Sequence, residues 1–295
     1  MPSEKKVKQI AIIGLGLIGG SLALSLKQCG YKVIGITKSL KTVKLAKRKK
    51  AIDEGYVKLS SKSLENVDVI FIATPLHLIK NYIKQIIDLK LKKEIIITDV
   101  GSTKLEICNF AKSQISFHHF IGGHPMAGIE HSGFSAAQKN LFKGAVWVLT
   151  PVNHSKKSKQ ALQVLSKVIS EINAKPILTT ADKHDKAVAL ISHMPILIAI
   201  GLCQLVQNVK DPEIKKLAMT LAASGFRDTT RIAIGNPEMS QSILKSNFPQ
   251  LSKLLRDYSR ELNNTLELLN KNPKKLLTEL SKVSCWRKLL YDKAI

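Results

Sequence analysis

Only four cysteines occur in the 295 residues, Cys29, Cys108, Cys203 and Cys285, and none stands at the short spacing of a metal site or a redox pair. Scattered thiols fit a reducing compartment, so the expected location is the cytoplasm. Aromatic residues make up 5% of the chain and no strand interleaves them with basic residues, which argues against a base-stacking platform for nucleic acid. Acids are scarce, 22 against 46 basic residues, for a formal charge of +24. Arginine is scarcer still, at positions 48, 227, 231, 256, 260 and 287 only, so the excess is nearly all lysine spread along the chain. A lysine-rich solvated surface accounts for this, with attraction of anionic substrates as the functional alternative. Residues 1–8 are polar and do not resemble a signal peptide. The longest apolar run, 187–206, is interrupted by Ser192, His193, Pro195 and Gln204 and reads as a buried helix rather than a membrane span.

Hydrophobic residues make up 44% of the chain, enough for a buried core, and the length allows one large or two ordinary domains. Strand-like runs at 9–13, 32–36, 67–74, 95–98, 145–150 and 175–178 alternate with helical stretches at 19–28, 40–50, 76–89, 104–112 and 156–171. This alternation predicts an α/β fold, a Rossmann-type doubly wound parallel sheet with helices on both faces. From about residue 181 the pattern is helical, at 182–206, 214–224, 238–245, 249–270 and 274–283. The expected organisation is a dinucleotide-binding domain over 1–180 and a helical substrate and dimerisation domain over 181–295. Part of the long apolar helix is expected to bury against a second copy in a two-fold homodimer.

The first strand runs into Gly14-Leu15-Gly16-Leu17-Ile18-Gly19. In a strand–turn–helix context Gly14 permits the turn, Gly16 lets the pyrophosphate approach the backbone, and Gly19 allows helix and strand to pack closely. Free N–H groups at the helix start, at Leu17 and Ile18, suit a phosphate. An acid usually follows the second strand where NAD is bound, holding the ribose hydroxyls. Here the chain reads Ile36-Thr37-Lys38-Ser39, then Lys41 and Thr42. Hydroxyls and lysines suit a 2′-phosphate, so Thr37, Lys38 and Thr42 point to NADP rather than NAD. The alternative is that these lysines are ordinary surface residues. Thr74 and Pro75, where the strand at 67–74 stops, complete the expected cofactor set.

Two residues carry the expected chemistry. His124 lies in Gly122-Gly123-His124-Pro125-Met126-Ala127-Gly128, read as a glycine-flanked loop after the short run Phe120-Ile121. Loops after strands collect at the carboxyl edge of such a sheet, where a nicotinamide lies, and a histidine there is a candidate acid–base group. Ser102, just beyond the strand at 95–98, either orients His124 or a reacting hydroxyl, or caps the helix that follows. His118 and His119 read as structural, and His77 and His154 as surface residues. In Ser224-Gly225-Phe226-Arg227-Asp228-Thr229-Thr230-Arg231, two arginines in a lysine-using chain suggest a carboxylate fork, or for Arg227 a salt bridge with Asp228. His193 alone reads as a satisfied core histidine.

Taken in order, residues 14–21, 98–104, 122–128, 189–195 and 224–231 resemble the prephenate/arogenate dehydrogenase family of tyrosine biosynthesis, over nearly the whole chain. The resemblance implies a Rossmann domain followed by a helical dimerisation domain. It makes His124 the catalytic group that draws the proton from the substrate's ring hydroxyl, with Ser102 sharing that hydrogen bond. Arg231 binds a substrate carboxylate and His193 lies near the pocket. Hydride passes to the nicotinamide, and carbon dioxide is lost as the ring becomes aromatic, with no metal required. Prephenate-using members commonly read Ser-His-Leu-Pro-His where this chain has Ile196 in the last position, and many carry an aromatic residue where Ser240 follows Pro237-Glu238-Met239. Together with the NADP-like strand ending, this looks like the arogenate-using, NADP-dependent branch, and Glu130 becomes the expected partner of the substrate ammonium. With neither a chorismate mutase segment nor a regulatory ACT domain in the sequence, a monofunctional enzyme is expected. The rival expectations are prephenate as substrate, a related β-hydroxyacid dehydrogenase or imine reductase, or a basic NADP-sensing or RNA-binding protein. The related enzymes place a lysine on the first long helix of the helical domain, and this helix has none after Lys186.

Overall fold

A computed structural model describes residues 7–129 and 131–292. Eight strands form one sheet: β1 (Gln9–Ile13), β2 (Lys32–Ile36), β3 (Glu54–Tyr56), β4 (Val69–Ile72), β5 (Ile96–Asp99), β6 (His119–Pro125), β7 (Val146–Pro151) and β8 (Lys175–Leu178). Their order is β3-β2-β1-β4-β5-β6-β7-β8. The pairs from β3 across to β6 are parallel, β7 runs antiparallel to β6, and β8 is parallel to β7. The order reverses between β1 and β4, the switch point at which such sheets open a crevice at the carboxyl ends of their strands.

Helices α1 (Leu17–Gln28), α2 (Leu40–Arg48), α3 (Ile79–Asp88), α4 (Leu105–Gln114) and α5 (Lys156–Glu171) cover the sheet. Alternate residues of β1 serve opposite faces, as the pleat requires. Ile10 and Ile12 join Leu22, Leu26, Phe71, Trp147 and Leu165 in one core, while Ala11 and Ile13 join Ile70, Ile83 and Ile107 in the other. Burial on both faces explains why the inner strands are continuous apolar runs.

The helical part contains α6 (Ala181–Val188), α7 (Met194–Gln207), α8 (Pro212–Leu221), α9 (Ser224–Thr230), α10 (Pro237–Ser246), α11 (Phe248–Lys271) and α12 (Pro273–Asp292). The chain divides into two compact units, one ending at Asn247 and one beginning at Phe248. In the second, α11 and α12 pack on one another. The first is held together beyond residue 180 by polar ties: Asn247 donates to the Asp185 carbonyl at 2.8 Å, and the Thr103 hydroxyl donates to that of Ser246 at 3.0 Å.

Three sequence expectations are corrected. His124 is not on a loop but on β6, opposite Val148 of β7. Gly122 and Gly123 read as loop residues, yet they are needed because the strand runs through a crowded place. A Cβ on Gly123 would stand 2.4 Å from the Asp99 carbonyl oxygen. The helix expected over 182–206 is interrupted by a π-helical turn, Ala189–His193, which joins α6 to α7. In the single chain Ile191 and Leu205 of this stretch are each 70% exposed. The stretch Ala181–Gln207 is long and apolar enough to cross a membrane by length and composition alone, but His184, Asp185 and His193 on it are buried and hydrogen-bonded.

Candidate active site

The carboxyl ends of β1, β2, β4, β5 and β6 share one edge of the sheet. Gly14 makes the turn out of β1 with φ at +97°, a conformation that favours glycine, and its N–H donates to the Ile36 carbonyl at 2.8 Å. That bond joins the glycine loop to the end of β2. A Cβ on Gly14 would lie 2.4 Å from the Ala73 carbonyl oxygen and one on Gly19 would lie 1.9 Å from that of Gly14, whereas one on Gly16 would meet no protein atom within 4 Å. Helix α1 begins at Leu17, followed by Ile18, with no acidic residue in its first turn. Beside the loop, Thr74 Oγ1 is buried and, among the described residues, has no hydrogen-bond partner. An approachable backbone, a helix N-terminus and an orphaned hydroxyl fit a dinucleotide pyrophosphate. Pro75 is exposed at the same edge.

At the end of β2, Thr37 is half-buried and its N–H donates to the Tyr56 carbonyl at 3.0 Å. Lys38 is exposed. Ser39 caps α2 by accepting from the Thr42 N–H at 3.2 Å, which leaves the half-buried Thr42 side chain on the first turn. The nearest acids serve elsewhere: Asp53 accepts from the Val33 N–H at 2.7 Å and pairs with Lys27, while Glu54 pairs with Lys32.

His124 is buried, and its Nδ1 lies 2.8 Å from Nε2 of His184. His184 Nδ1 lies 2.7 Å from Oδ1 of Asp185. The same carboxylate accepts the backbone N–H of Lys104 at 2.7 Å and of Leu105 at 2.9 Å. Asp185 therefore caps α4 from a distant segment, the role that sequence offers to Ser102. Ser102 is half-buried on the turn before α4, and among the described residues its hydroxyl makes no hydrogen bond to His124. Burial, reinforced by His184, Lys104 and His193, holds His124 well below the usual histidine range, so its imidazole is neutral at pH 7.

His193 ends the π turn. Its Nδ1 accepts from Asn247 Nδ2 at 3.0 Å, so its Nε2 carries the proton. Burial takes its pKa down to about 4. Arg227 is exposed and pairs with Asp228 at 2.9 Å, its structural alternative. Arg231 opens the turn Arg231–Ile234, which packs on α7. Glu130 lies outside the described residues. His118 is buried, His119 pairs with Glu94 at 3.5 Å, and His77 and His154 are exposed.

Residues 22–178 match the family described as prephenate dehydrogenase, nucleotide-binding domain, and residues 180–282 match prephenate dehydrogenase, dimerization domain. The chain belongs to the prephenate dehydrogenase family. It is an oxidoreductase of that family, with a nucleotide-binding Rossmann sheet and a helical C-terminal region. It is 35% identical to the prephenate dehydrogenase of Bacillus subtilis (strain 168) over 257 residues, 86% of this chain and 68% of that protein. The crystal structure of Synechocystis arogenate dehydrogenase is similar with a TM-score of 0.84 and 36% identity, covering 97% of this chain and 100% of that one. The prephenate dehydrogenase from A. aeolicus, solved with hydroxyphenyl propionate and NAD+, has a TM-score of 0.87 and 27% identity, covering 97% and 99%.

Sequence reasoning missed His184 and Asp185. The available signal was the adjacent His184-Asp185 pair in the polar turns that lead directly into the apolar run from 187.

Proposed function

We propose that the chain is an arogenate dehydrogenase, converting L-arogenate to L-tyrosine with NADP and releasing carbon dioxide. The observation that carries this reading is a neutral, buried His124 at the sheet edge that also bears the Gly14–Gly19 cradle. When bound, the nicotinamide supplies the hydride acceptor. Gly14, Gly16, Leu17, Ile18, Gly19, Thr74 and Pro75 hold the dinucleotide, and Thr37, Lys38 and Thr42 take the 2′-phosphate. His124 accepts the proton of the ring hydroxyl, and Ser102 shares that hydrogen bond. Arg231 binds a carboxylate, His193 offers its Nε2–H to the substrate, and Glu130 pairs with the ammonium.

The preference for arogenate is supported by Ile196 in place of a second pocket histidine, and that for NADP by the absence of an acid at 37–42. Prephenate is the second reading, favoured by the name of the Bacillus relative. Residues 1–180 act as the nucleotide-binding domain and 181–295 as the substrate and dimerisation domain. Exposed Ile191, Leu205, Leu217 and Leu221 are the surface for a homodimer, in keeping with the family's dimerization domain. The enzyme is read as cytoplasmic, with neither nucleic acid nor membrane as partner. The test is absorbance at 340 nm with arogenate or prephenate crossed with NADP or NAD. Turnover with arogenate and NADP alone supports both preferences, and turnover with prephenate transfers the reading to the second substrate.

A further inference from the structure

The function proposed above requires a proton acceptor at His124, and the following inference rests on it. We propose that His184 and Asp185 are positioning residues that hold His124 as the tautomer with a free Nε2 lone pair and share its charge when that atom is protonated.

The direction of each hydrogen bond fixes the tautomer. The Asp185 carboxylate accepts from two backbone N–H groups, so toward His184 it is again an acceptor. His184 Nδ1, 2.7 Å away, therefore carries its ring proton. A neutral His184 then has its lone pair on Nε2, which faces His124 Nδ1 at 2.8 Å. Toward that neutral ring His124 Nδ1 donates, and its Nε2 is left unprotonated. As the substrate O–H bond breaks, an N–H bond forms at that atom. The resulting imidazolium donates through Nδ1 to His184, which in turn faces the carboxylate. Positive charge in a buried row thus ends at a negative group, and the row neither gains nor loses a further proton. Such an arrangement stabilises the cation without the carboxylate itself becoming protonated.

The other titratable groups around His124 leave this work to His184. Lys104 is engaged with Asp99, and His193 with Asn247. The helix-capping role of Asp185 does not require a buried histidine between it and His124, so capping alone does not explain His184.

The test compares wild type, H124N, H184L and H184Q in steady-state turnover, with NADP binding measured separately. H184L is expected to lose about 10²- to 10³-fold in kcat while KM and cofactor affinity stay within about threefold. H184Q, whose carbonyl can accept from His124 Nδ1, should recover at least about tenfold over H184L. Nitrogen-15 NMR of histidine-labelled wild type should show His124 protonated on Nδ1 near pH 7, a readout that does not depend on any variant folding. Wild-type kcat in H184L with H124N inactive, or an Nε2–H tautomer at His124, overturns the relay and leaves the proposed function standing. A folded wild type that binds NADP and turns over neither substrate overturns both.

Discussion

Asp99 and Lys104 form an ion pair with both side chains fully buried, between the end of β5 and the start of α4. The Asp99 carboxylate also accepts the Gly101 N–H at 2.8 Å and the Gly123 N–H at 3.2 Å, so it pins the residue next to His124. Removing one partner of a buried pair leaves an uncompensated charge and typically costs about 3–5 kcal/mol. K104M should be destabilised by about that amount in urea unfolding, and the D99N/K104M double variant by less than either single change.

Replacing His124 by Asn should lower kcat by at least about 10²-fold, the usual contribution of a general base. NADP affinity, measured by fluorescence titration, should be unchanged because the dinucleotide cradle lies on other strand ends. Full turnover in H124N would remove His124 from the chemistry.

Two buried histidines set the response to acid. His124 works as a base only when neutral, so kcat/KM should hold as pH falls through 6.5 and drop only well below it. Stability responds earlier. His193 has a folded pKa of about 4 against 6.5, so between these values the folded state binds fewer protons than the unfolded chain. Its stabilising effect is complete above pH 6.5 and is lost as pH falls toward 4, amounting to roughly 3 kcal/mol at about 1.4 kcal/mol per pKa unit. Urea midpoints across pH 4–7 check the sign, and H193Q should flatten the slope.

The end of β2 decides the cofactor on the reading above. A charge-assisted hydrogen bond contributes about 1.5–3 kcal/mol, so T37E/K38A should lower kcat/KM for NADP by about 10- to 100-fold and favour NAD. An unchanged ratio of the two cofactors would clear Thr37 and Lys38 of any role.

The sheet was legible because its signals are local. Apolar runs such as 9–13 and 32–36 end in glycine or polar turns and coincide with β1 and β2. Short β3 carries a central glycine and one apolar residue, too little to stand out from a loop. The Gly122-Gly123 pair read as flexibility, when its cause is the close approach of Asp99 and Thr98 from the neighbouring strand, which no local pattern reveals. His184 and Asp185 were illegible for a related reason. Their partners, His124 and the start of α4, are 60 and 80 residues away in the chain.

The π turn at Ala189–His193 has a geometric consequence of its own. A helix turns by about 100° per residue, so one additional residue would shift the phase of everything that follows unless a wider turn takes it up. His184 and Asp185 precede the turn and His193 ends it, yet all three point inward. Deleting one residue from Leu190 to Ser192 should therefore give a regular α-helical path with the phase of α7 kept, whereas straightening the turn at full length would rotate His193 by about 100° away from Asn247. The wide turn thus keeps His193 in angular step with His184 and Asp185 although the chain between them carries one residue more than a regular helix would allow.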